Sequence, residues 1–124
     1  MTLEQLYAAI DGDYERAQSV LRVEKLIDKH IRRLPGNAVF FDLFDAAKTM
    51  DATRLFESAH AIKGVCGNLG LVKLAQIASE IAEEYRPGNP RRMTDDEVAE
   101  KVAQIEALYQ KAVDGVRQYE QAGQ

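Results

Sequence analysis

The sequence has one cysteine, no tryptophan and three prolines in 124 residues. The single thiol, Cys66, has no partner for an internal disulfide, which suits a reducing compartment. No apolar run approaches the roughly 20 residues of a membrane-spanning helix. Stretches of β-branched residues are scarce, which weighs against an all-β fold. The opening segment MTLEQLYAAIDGDYE carries acids where a secretory leader would carry basic residues. Basic charge is short as well: 16 Lys and Arg stand against 20 Asp and Glu, a formal net of −4. That balance argues against a nucleic-acid binder, despite the small cluster Arg91-Arg92, and against an anionic membrane surface. No P-loop, glycine-rich kinase loop, zinc-protease helix or cysteine pair is present, so neither an ATP-using enzyme nor a metalloenzyme is indicated. The expectation is one soluble, mildly acidic, cytoplasmic domain over residues 1–124, long enough to bury a core without a staple.

What is present is helical spacing from end to end. Thr2 and Gln5 have the capping-box interval, and Leu3, Leu6, Tyr7 and Ile10 line a first short helix that stops near Gly12. Asp13 caps a second over 14–21. Val23, Leu26, Ile27, Ile31 and Leu34 mark a third, ended by Pro35-Gly36. From Asn37 the stripe is Phe40, Leu43, Phe44, Ala47 and Met50, and Asp51 then caps a helix running to about Asn68. After a break at Leu69-Gly70 come Leu74, Ile77, Ala78, Ile81 and Tyr85. Pro87-Gly88-Asn89-Pro90 is the clearest loop. Thr94, with Glu97 at the capping-box position, opens a long last helix with the seam Val98, Val102, Ile105, Tyr109, Ala112, Val116 and Tyr119. Four long amphipathic segments with short connections predict an all-α fold, an antiparallel four-helix bundle over 37–121. Residues 1–35 are then accessory short helices packed across one end or flank, or else a separate docking arm. The bundle needs no second copy to close, so a monomer is expected.

The helix over 51–68 differs from the others. Its core seam is Leu55, Ala59, Ile62, Cys66 and Leu69. At about 100° per residue, His60 falls roughly 140° from the centre of that seam, on the solvent side. Gly64 lies almost opposite the core one turn beyond His60, Gly67 is a further turn along, and Lys63 sits at the boundary. Glycine inside a helix costs up to ~1 kcal/mol relative to alanine. Two on one outer face point to a need for room beside the histidine. A lysine at i+3 reaches the same place and offsets an anion there. An isolated surface histidine is ordinarily inert; the grouping with Lys63, Gly64 and Gly67 reverses that reading. His30, in the charged run Asp28-Lys29-His30 and without a glycine clearing, reads as a solvated residue. Cys66, on the core side, reads as a small hydrophobe.

The run Ala59-His60-Ala61-Ile62-Lys63-Gly64-Val65-Cys66-Gly67-Asn68-Leu69-Gly70, with Leu74 four residues on, resembles the signature of histidine-containing phosphotransfer (HPt) domains. Lys48-Thr49-Met50-Asp51-Ala52-Thr53 resembles the family's acidic turn before the active-site helix. The likeness is specific over about 37–85. The last helix fits by periodicity alone, and residues 1–35 match no general part of the pattern.

The resemblance implies a phosphorelay component rather than an enzyme, with no kinase activity of its own. His60 would take a phosphoryl group from a receiver-domain aspartyl phosphate, through Nε2, and pass it on. Exposed imidazoles, with an ordinary pKa of about 6.5, are mostly neutral at pH 7, so no general base is needed. Lys63 would offset phosphoryl charge and Gly64 would give the receiver access. Partners would be response-regulator receivers or a hybrid sensor histidine kinase. No cofactor is implied, magnesium being expected on the receiver. Glu57 either orients Nδ1–H or is a solvated acid. Gly67 gives clearance, and Asn68 is a candidate helix cap. Phe56, one turn before His60, and Phe41, beside Asp45 and Lys48 on the expected outer face of its helix, either meet the receiver or pack, Phe56 laterally and Phe41 under the N-terminal helices. The competing reading is a helical adaptor that binds a signalling partner without phosphotransfer.

Overall fold

Residues 1–122 are described by a computed structural model. They form α1 (Leu3–Ala9), α2 (Tyr14–Leu21), α3 (Glu24–Arg32), a 3-10 turn at Leu34–Gly36, α4 (Ala38–Thr49), α5 (Ala52–Asn68), α6 (Val72–Tyr85) and α7 (Asp95–Ala122), and no strand occurs among them. Local chemistry sets the helix starts. Thr2 and Gln5 form a reciprocal capping box on α1, and Asp13 Oδ1 accepts from the Arg16 N–H. Asn37 caps α4, and Asp51 Oδ1 accepts from the Arg54 N–H at the head of α5. Thr94 and Glu97 form a second capping box ahead of α7.

Helices α4 to α7 close a ring, α5 packing between α4 and α6 and α7 sealing the far side against both. This is the expected four-helix bundle. The short helices pack on it. Leu3, Leu6 and Tyr7 of α1 and its cap residue Ile10, with Ile27 and Ile31 of α3, are buried in one cluster with the bundle seams. Gly115 of α7 is where α1 lies closest: a β-carbon there would run into Ile10 and reach Leu6 Cδ1 at 3.2 Å. The Tyr7 hydroxyl donates to the Leu69 carbonyl at 2.7 Å, and the Asp13 N–H to the Gly70 carbonyl at 2.8 Å. These bonds tie the N-terminal helices to the junction that ends α5.

Three expectations are corrected. Val23 and Leu26 are not core: they are 52% and 39% exposed. Val23 is the residue that starts α3 rather than part of it, and Leu26 lies about 100° around the helix from Ile27. The buried seam of α3 is Ile27, Ile31 and then Leu34. Phe41 does not pack under the N-terminal helices. It is 54% exposed and meets Phe44 and Tyr109 edge-on at 6.4 and 6.2 Å. Asn68 is the last helical residue of α5, and Leu69 occupies the cap position.

One buried acid shapes the loop from α6 to α7. Glu84 Oε2 accepts from Arg91 Nε and from the Arg92 and Met93 N–H groups, each at 2.9 Å. Burial pushes its carboxyl upward, but the bonds from Met93, Arg91 and Arg92 outweigh this and hold it below the ordinary glutamate value. A lowered folded-state value gives stability that is present above the unfolded value of about 4.3 and is lost as pH falls through the folded one. Glu84→Gln is therefore expected to lower Tm at pH 7 and to flatten its fall in acid, the two proteins converging once the pH has fallen below the folded-state value. Thermal melts across that range test it. Parallel curves would show that the charge is not what holds the loop.

Candidate functional site

The outer face of α5 is where the sequence-predicted residues gather. His60, Lys63 and Gly64 are exposed and Gly67 is half-buried, while Leu55, Ala59, Ile62 and Cys66 on the opposite side are fully buried. The alternation follows from about 3.6 residues per turn, which lets one helix carry a core seam and a solvent face together. A β-carbon added at Gly64 or Gly67 would meet no heavy atom within 4 Å. Neither glycine is required by packing, and neither has positive φ. The surface beside the imidazole is bare because these side chains are missing. Burial pushes the Cys66 thiol up to about 12, so it stays a protonated, inert core group.

His60 is not isolated. Its ring stacks on Phe56, one turn earlier, with centroids 5.6 Å apart and planes 21° from parallel. Phe56 is half-buried and packs against the core cluster. Arg86, at the end of α6, places its guanidinium carbon 5.5 Å from the centre of the Phe56 ring. Glu83 Oε1 accepts from Arg86 Nε at 3.0 Å and Nη2 at 2.8 Å, and Asn89 Nδ2 donates to the Glu83 carbonyl at 2.8 Å. The Arg86 hydrogen bonds hold the Glu83 carboxyl below the ordinary range, with a smaller contribution from the Lys63 charge. Lys63 thus stands within electrostatic reach of α6, and it makes no ion pair among the described residues.

Glu57 is exposed and makes no hydrogen bond to the imidazole among the described residues. The solvated-acid reading fits that placement. His30 is exposed and borders a different groove of about 320 Å³ with Leu21, Arg33, Asn37, Val65, Asn68 and Leu69. The sequence marks Asn89 only as part of the 87–90 loop and does not mark Arg86 or Glu83 at all. Arg86, with Glu83 and Asn89 behind it, reaches the Phe56 ring because α6 returns along α5.

An exposed imidazole beside a glycine-cleared strip and an unpaired lysine is suited to meeting an anionic group on a partner. A shallow convex helix face is ill suited to enclosing a small substrate. In comparison with known proteins, a family model described as the Hpt domain matches residues 1–118. The match corrects the expectation that residues 1–35 lie outside the family pattern, because it takes in the N-terminal helices, and it also covers most of α7. No curated protein and no solved structure matches the chain.

Proposed function

We infer from the Hpt domain family, to which this chain belongs, that the chain is a phosphoryl carrier whose acceptor is His60. Hpt domains serve histidine phosphotransfer in phosphorelays, with receiver domains and kinases as partners, and are carriers rather than kinases. For this chain the supporting observation is the exposed His60 with open space at Gly64 and Gly67.

The transfer balances without a further reactant. The Nε2 lone pair of the neutral imidazole, its proton on Nδ1, attacks the phosphorus of a receiver aspartyl phosphate in line. The Nε2–P bond forms as the P–O bond to the aspartate breaks. The electron pair leaves with the aspartate carboxylate, and the Nδ1 proton stays on the ring until solvent takes it. Lys63 lies one turn from His60 and offsets charge on the phosphoryl oxygens as a point charge. The magnesium of such a transfer is held by the receiver, and no step uses a metal on this chain. No helix among the described residues is long and apolar enough to cross a membrane.

The test is incubation with a phosphorylated receiver, followed by mapping of the label. An acid-labile, base-stable adduct on His60 is the expected result, and a chain that stays unlabelled would leave the adaptor reading in its place. Lys63→Ala is expected to slow transfer or to shorten the phosphohistidine lifetime. It should change stability by no more than ~0.5 kcal/mol, as exposed substitutions do. Wild-type rates and lifetimes in this variant would remove Lys63 from the mechanism.

A further inference from the structure

We propose that Phe56 is a positioning residue for the His60 imidazole, holding the ring plane for attack, rather than a contact for the receiver. This rests on His60 being the phosphoryl acceptor. An imidazole on an exposed helix face is free to turn about both side-chain torsions, and only a few of its orientations aim Nε2 along the line of attack. Phe56 is four residues earlier on the same helix, the spacing at which side chains become neighbours. Its ring lies 5.6 Å from the imidazole at 21°, an offset-stacked arrangement.

The platform is itself held. Phe56 is half-buried against the core cluster, and the Arg86 guanidinium lies over its ring at 5.5 Å. Arg86 is fixed by two hydrogen bonds to Glu83 Oε1, and Glu83 in turn takes the Asn89 amide on its backbone carbonyl. A continuous set of contacts therefore runs from the end of α6 through Phe56 to the imidazole. Restricting the ring before the donor arrives removes part of the orientational cost of reaching the attack geometry.

Positioning and docking separate by the choice of donor. A contact for the receiver speeds transfer from the receiver alone, whereas an oriented nucleophile reacts faster with any donor. Phe56→Leu, which keeps an apolar side chain on the core, is expected to slow labelling of His60 by a small phosphoramidate about three- to tenfold, and transfer from a phosphorylated receiver by a similar factor. Phe56→Tyr, which keeps the ring, should restore both rates. Proton NMR gives a readout independent of chemistry. The chain has two histidines, so His60→Gln assigns their signals. The carbon-bound ring protons of His60 should lie upfield of those of His30 in the wild type and in Phe56→Tyr, and move to the His30 position in Phe56→Leu. Unchanged small-donor labelling in Phe56→Leu, or wild-type His60 protons already at the His30 position, would overturn the proposal. A wild-type chain that shows the upfield shift but takes no label at His60 would instead refute the acceptor reading on which it stands.

Discussion

His60→Gln is expected to give a folded chain that takes no phosphoryl group from either a receiver or a small phosphoramidate. Glutamine has no basic ring nitrogen with which to attack phosphorus, so the loss should be complete rather than partial. His60 is exposed and outside the buried seam of α5. Its replacement should therefore leave Tm nearly unchanged, within the ~0.5 kcal/mol usual for surface positions. His30→Gln is the matched control. It is also exposed, but it borders a separate groove without a glycine clearing, and it should label as the wild type does. Retention of an acid-labile label in His60→Gln would place the acceptor elsewhere.

Two glycines, Gly64 one turn from that histidine and Gly70 just past the far end of α5, should fail in opposite ways. Gly64→Leu is expected to stay folded and to lose most receiver-dependent transfer, while labelling by a small phosphoramidate falls much less. Nothing lies within 4 Å of a β-carbon at Gly64, so the leucine has room on the chain itself. On the proposed function, what it would remove is the space one turn from His60 through which an aspartyl phosphate would approach. Gly64→Ala should raise stability by up to ~1 kcal/mol, because alanine is the better helix former. Gly70→Ala should instead be destabilising. Gly70 has φ of +70°, and a β-carbon there would run into the Asp13 carbonyl oxygen and come within 3.1 Å of the Ala17 nitrogen. The left-handed conformation alone costs an L-residue roughly 1–2 kcal/mol, and displacing the first turn of α2 adds to it. Transfer measured well below the melting range, and melts of each variant, separate the two cases. Equal loss of both donors in Gly64→Leu, or its unfolding, would show that this glycine serves structure; a Gly70→Ala chain as stable as the wild type would show that α2 does not rest on the α5–α6 junction.

Much of this was legible along the chain because it depends on near neighbours. The caps Thr2, Asp13, Asn37, Asp51 and Thr94 act on N–H groups two or three residues away, and the helices start where those residues stand. The grouping of His60, Lys63, Gly64 and Gly67 on one face follows from helical spacing alone. The errors were those of partial context. Leu26 satisfies an apolar spacing but faces solvent at 39% exposure, because the burial of a short helix is decided by the surface it meets. Phe41 stands on the outer face of α4, and its edge-on partners Phe44 and Tyr109 come from one turn away and from the far helix α7.

The sequence by itself determined an all-helical chain, the starts of the five helices with side-chain caps and the side of α5 on which His60 is exposed. Each is set by hydrogen bonds and side-chain periodicity within a few turns, where the intervening chain fixes the geometry. Only the tertiary structure decided that residues 1–35 are bound to the bundle, through Tyr7 to Leu69 and Asp13 to Gly70. It alone decided that Arg86, which caps α6, and Glu83 back the Phe56 ring on which His60 stacks. The Tyr7–Leu69, Asp13–Gly70 and Arg86–Phe56 contacts join residues far apart in the chain, and such partners are chosen by how the apolar seams pack, which no local spacing records.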